Sequence, residues 1–160
     1  MATTLPTLMD AVAALVAGVI PTTNPSAASA SSPAFIHVEN HLPWFTEEKG
    51  ADLATFDRAF ALLAGNMEEG AFYGLMTDRD ASAELTLLLM YQPTLDSSSY
   101  NLEKRIASDC EIIASKLLKN PPSGCHLVSL TSRIPNRAPT ANPDKVTVEL
   151  AFKYSYRVNF

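Results

Sequence analysis

The chain of 160 residues is sparing with the residue types that carry chemistry or staple small folds: it has two cysteines, three histidines, one tryptophan and six glycines. Cys110 and Cys125 form no CxxC pair and have no histidine at ligand spacing, which argues against a cysteine-based zinc site; sequence alone does not tell whether the two are paired with each other. The scattered glycines compose no GxGxxG fingerprint, no GxxxxGK[ST] phosphate loop and no GxSxG nucleophile elbow. No apolar run reaches the roughly 20 residues that a membrane-spanning helix needs. Segment 8–20 has the look of a signal-peptide core, but no Lys or Arg precedes it and Asp10 interrupts it, so the expectation is a protein that is not secreted.

What is present is ordinary for a globular chain. The hydrophobic fraction is 47% and eleven prolines mark several stiff loops. The length suits one domain over 1–160, made of an N-terminal helix (1–20), an extended arm (21–33) and an α+β core (34–160). Cys110 falls on the apolar side of an expected helix, so a buried, reduced thiol in a reducing compartment is the expectation. Net charge is −5, but it is unevenly spread. Residues 1–99 carry twelve acids and three bases, giving −9, whereas residues 100–160 carry five acids and nine bases, giving +4. Such a dipole can orient subunits head to tail, or it can be the solvated faces of one helix and two strands.

Leu5, Leu8, Val12, Leu15, Val16 and Val19 recur at helical spacing, with Pro21 as the stop. Residues 34–38 read as a short strand. Leu53, Phe56, Phe60 and Leu63 suggest a second helix over 52–64, closed by Gly65-Asn66. Segments 70–76 and 84–92 read as a hairpin around the polar turn 77–80. Ser97–Asn101 supplies cap candidates for a long helix at about 100–119, with Leu102, Ile106, Cys110, Ile113 and Leu117 inward and Lys104, Arg105, Glu111 and Lys116 outward. A strand over 126–134 follows, then a Pro-rich loop over 135–144.

The strongest pattern comes last. From Val146 to Phe160 apolar and polar residues alternate without a break over fifteen positions. At about 3.3 Å per residue such a strand spans roughly 50 Å, well beyond the usual length. It must therefore bend strongly or be covered in part by another chain. In the second case, deleting 156–160 should harm assembly more than folding. The fold expected is a mixed, mainly antiparallel β-sheet with one long helix (about 100–119), an N-terminal helix packed on it, and a long C-terminal strand.

Catalytic chemistry finds little support. His37 and His41 stand four apart, but zinc needs three or four convergent ligands and Pro43 follows closely. Asp78 and Asp80, at an expected hairpin tip, would have to sit in a cleft to act as acid and base. Arg133, Arg137 and Lys145 surround the Pro-rich loop and are candidates for touching a phosphate backbone or an acidic protein surface. With Tyr154, Tyr156 and Phe160 at the end of the long strand, they form the candidate interface or DNA-facing set. No enzyme activity and no cofactor are expected.

Segments 84–91 (ELTLLLMY), 112–118 (IIASKLL) and 146–154 (VTVELAFKY), in that order, resemble the tail terminator (tail completion) proteins of long-tailed bacteriophages. The resemblance covers roughly the last 90 residues and rests on pattern and element order. It implies a virion protein assembled in the host cytoplasm, a subunit of a commonly hexameric ring. That ring would cap the tail tube, join it to the head–tail connector and let DNA pass. Neither a membrane nor a cofactor is implied. The other readings left open are a head–tail connector or neck subunit, a small ligand-binding α+β domain, and an enzyme without a recognisable motif.

Overall fold

The computed structural model describes residues 4–26, 34–39, 57–73, 78–130, 136–138 and 145–159 of the chain. Helix α1 spans Leu5–Ala17. Thr4 caps it, its hydroxyl accepting the Thr7 amide at 3.4 Å, and Pro6 sits in the first turn, where a missing N–H breaks no helical bond. The helix ends at Gly18, whose amide donates to the Ala14 carbonyl at 3.1 Å, short of the stop expected at Pro21. Helix α2 spans Ser99–Lys119, with the Ser98 hydroxyl accepting the Asn101 amide at 3.2 Å and Lys116 and Lys119 in the last turn.

Six strands form one sheet: β1 (Ile36–His37), β2 (Ala59–Tyr73), β3 (Asp78–Tyr91), β4 (Cys125–Leu130), β5 (Asn136–Ala138) and β6 (Val146–Asn159). Their order across the sheet is β1-β2-β3-β6-β4, with β5 also on β6, beyond β4 along the same edge. Only the β1–β2 pair is parallel. The protein is therefore α+β, with a mixed, mainly antiparallel sheet.

One face of the sheet carries the main core. Phe60 and Leu62 of β2, Leu85, Leu87, Leu89 and Tyr91 of β3, and Val148, Leu150, Phe152, Tyr154 and Tyr156 of β6 pack with Leu8, Val12 and Val16 of α1 and with Leu102, Ile106, Cys110, Ile113 and Leu117 of α2. Each large apolar side chain so buried stabilises the fold by about 1.5–3 kcal/mol. On the opposite face Ala59, Ala61, Leu88 and Met90 make a second, smaller cluster with Val38 and Leu63. The near-continuous apolar run of β3 thus has both faces covered at its end.

The length of β6 is met inside the chain. It pairs with β3 without a break from Asp78↔Asn159 to Tyr91↔Val146, while its other edge pairs with β4 and β5. The long alternating strand is thus central over most of its length, from Thr147 to Tyr156.

The helix expected over 52–64 is not formed where the structure describes it: 59–64 is the start of β2. Leu53 and Phe56 lie outside the described residues. Apolar residues on both faces of a strand mimic a helical stripe, which is the source of the error. Gly65 does not stop a helix but lies in a β-bulge, between the pairs Ala64↔Leu85 and Met67↔Ala83. A Cβ there would stand 3.1 Å from Glu84 Cβ and 3.3 Å from its carbonyl oxygen, so any larger residue would make Glu84 give way by a few tenths of an ångström. Residues 78–80, expected in a turn, are instead the start of β3, and Thr77 lies outside the described residues.

Candidate functional site

The densest polar arrangement lies where α2, the end of β3, the residues before β2 and the N-terminal arm meet. Arg58 has φ 54°, a left-handed backbone that side-chain-bearing residues adopt only at a cost. Its guanidinium grips Asp109 in two bonds, Nε to Oδ2 at 2.6 Å and Nη2 to Oδ1 at 2.9 Å. Nη2 also donates to the Thr23 carbonyl, and the group lies 5.8 Å above the Phe35 ring. The Tyr91 hydroxyl donates to Asp109 at 3.1 Å. Beside this pair Arg105 binds Asp57 at 2.6 Å and Asp96 at 2.7 Å, and Asp57 further accepts the Gln92 amide at 2.9 Å. The Ser26 amide donates to Asp96 at 3.3 Å.

Both arginines and all three aspartates are almost wholly out of water. Burial raises the Asp109 carboxyl above its ordinary value although Arg58 works against it. Burial also raises the Tyr91 phenol well above its usual range, with Asp109 adding to the effect, so it remains a hydrogen-bond donor. Burial acts to lower Arg105, but hydrogen bonds and charge from Asp57 and Asp96 outweigh it and the net shift is upward. Every carboxylate is committed to a guanidinium, which leaves no free base and no activated nucleophile. The cluster fastens the arm to the core.

This network went unread in the sequence, and Arg105 was expected to face outward whereas it is 1% exposed. The only available signal was its place beside the apolar stripe of α2, four residues before Asp109.

The candidate interface set fares differently. Tyr154 and Tyr156 point into the main core, 0% and 3% exposed, and Lys145 is 4% exposed. Tyr154 and Tyr156 are buried because β6 is central and its even-numbered side chains face the helices. Burial pushes both phenols up. Arg137 lies in β5, its backbone opposite Val148. Arg133 and Phe160 lie outside the described residues, as does His41. His37 stacks on Phe60 with ring centroids 5.0 Å apart. Asp80 is in β3 opposite Arg157 and pairs with it at 3.7 Å on the surface. Cys110 and Cys125 are both buried and free, and burial pushes the Cys110 thiol up to about 12. Among the described residues no group of His, Cys, Asp and Glu is placed to hold a metal ion, and no helix is long and apolar enough to cross a membrane.

Two of the clefts among the described residues lie beside the sheet. One, of about 330 Å³, lies between α2 and the β4–β6 side, lined by Cys110, Glu111, Ala114, Ser115, Leu118, Lys119, Leu130 and Leu150. The other, of about 280 Å³, lies between α1 and the β1–β2 side, lined by Met9, Asp10, Ala13, His37, Val38, Glu39 and Leu62. Charge is partitioned between these sides: among the described residues, the part with α1, β1, β2 and β3 carries nine acids and two bases, and the part with α2, β4, β5 and β6 carries four acids and eight bases. The boundary runs between β3 and β6, where Glu84 faces Lys153 and Asp80 faces Arg157 in register.

No protein-family model matches this chain, and no curated protein sequence matches it.

Proposed function

We propose that the chain is a structural virion protein, a tail terminator subunit of a long-tailed bacteriophage. Its ring caps the tail tube and joins it to the head–tail connector, with room for DNA to pass. Its work is assembly without catalysis: one face matches the last ring of the tube and the other does not propagate it. The observation that carries this reading is the partition of charge across the sheet, acidic at one side and basic at the other. A subunit with opposite charge at opposite sides is suited to heterologous, head-to-tail contacts, which close into rings when the rotation allows.

A second reading, a small ligand-binding domain, draws on the cleft of about 330 Å³ beside Cys110 and Leu150, a size suited to a small molecule. Size-exclusion chromatography with light scattering separates the two. A ring subunit elutes as a defined multiple of 17.3 kDa and gives closed rings in negative stain. A strict monomer at every concentration, alone and with tail tube protein, would overturn the terminator reading.

A further inference from the structure

We infer that copies of this chain join head to tail by seating the C-terminal end of α2 of one copy in the cleft between α1 and β1 of the next, an inference that rests on the ring-subunit reading. The cleft has an apolar floor of Met9, Ala13 and Leu62 and an exposed acidic rim of Asp10 and Glu39. Neither carboxylate has a basic partner among the described residues. The last turn of α2 carries the complement. Leu118 is 52% exposed, and Lys116 and Lys119 stand beside it with no acidic partner among the described residues.

A volume of about 280 Å³ corresponds to roughly nine waters, enough to admit a leucine side chain with a lysine stem. Leu118 would leave water for the apolar floor while the lysines meet the rim. The cleft lies at the β1–β2 side of the molecule and the helix end beside β4 and β6, so each contact between copies leaves one free surface of each kind. Strand addition at the sheet edges is a poorer alternative. Strand β1 covers β2 only at Ala59 and Phe60, and β2 and β4 both carry register breaks, at Ala64/Met67 and Leu127/Ser129, which blunt an edge against pairing. The contact is made by side chains.

The test uses the full chain with charge reversed on one surface at a time: Asp10→Lys with Glu39→Lys in the cleft, or Lys116→Glu with Lys119→Glu on the helix. Asp10, Glu39 and Lys119 are exposed and Lys116 is partly so; circular dichroism melting verifies that each variant is folded. Each variant alone should need a concentration roughly tenfold or more above wild type to assemble, read by light scattering. An equimolar mixture should recover assembly, because the retained lysines of one variant meet the retained acids of the other and the two reversed surfaces meet each other. A chain carrying all four reversals should also assemble. If wild type forms rings but both variants and their mixture assemble like wild type, the contact lies elsewhere and only this inference fails. If wild type never assembles, the ring reading falls and takes the inference with it.

Discussion

Arg58 holds a left-handed backbone, a bidentate carboxylate and a turn of the N-terminal arm at once. Replacing it with methionine keeps the backbone strain, since any side chain meets the same φ, and isolates the loss of charge. Arg58→Met should cost about 3–5 kcal/mol at neutral pH, measured by urea unfolding, because Asp109 is left buried without its cation. Burial already raises Asp109 in the wild-type fold, and without Arg58 it rises further. A carboxyl raised above its unfolded value stabilises the fold below about pH 4 and loses that contribution as pH rises through the folded value. The deficit of Arg58→Met should therefore shrink in acid. Adding Asp109→Leu should recover most of the loss at neutral pH, as replacing both members of a buried pair by apolar groups often does. None of this was legible in the chain. Arg105 becomes an interior residue because Asp57, 48 positions away, and Asp96 come to meet it. An isolated arginine beside a stripe gives no sign of such partners.

Among the elements, β6 was legible because period-two alternation with one apolar face has a single physical solution, and Val148, Leu150, Phe152, Tyr154 and Tyr156 all take the buried face. The start of β2 was not, because Phe60 and Leu62 serve one core cluster and Ala59 and Ala61 the other, which erases alternation. Its bulge was also hidden, since Gly65 has the same spelling whether it ends a helix or admits a neighbouring backbone. Gly65→Val should lower stability by about 1–3 kcal/mol in thermal unfolding, as the new side chain is forced against Glu84. The position of β6 also reverses an expectation about its end. Deleting 156–160 removes Tyr156 from the core and should cost at least about 3–5 kcal/mol, so folding suffers before assembly does. A truncated chain that melts like wild type would contradict the central placement of this strand.

At the scale of the whole molecule, the imbalance between −9 and +4 was plain in the sequence, but its meaning depended on topology. Had the strands interleaved, the charges would have mixed. The order β1-β2-β3-β6-β4 instead keeps the strands of each part on their own side, with the buried Arg58–Asp109 and Arg105–Asp57 pairs joining the two parts. The two clefts were beyond reach of pattern, being spaces between elements distant in sequence, and Tyr154 and Tyr156 of the candidate interface set are buried in the core. The same sheet order has a consequence in time. Strand β6 is the latest of the described strands to be made, yet it stands between β3 and β4, and nothing else links those two across the sheet. On the ribosome, the α1–β3 part and the α2–β4 part can each gather locally, but the open edge of β3 waits for the last strand. Closure is therefore a late, long-range event, slow as such pairings are, and until it occurs the apolar edge Leu85–Tyr91 is the segment a chaperone would be expected to guard.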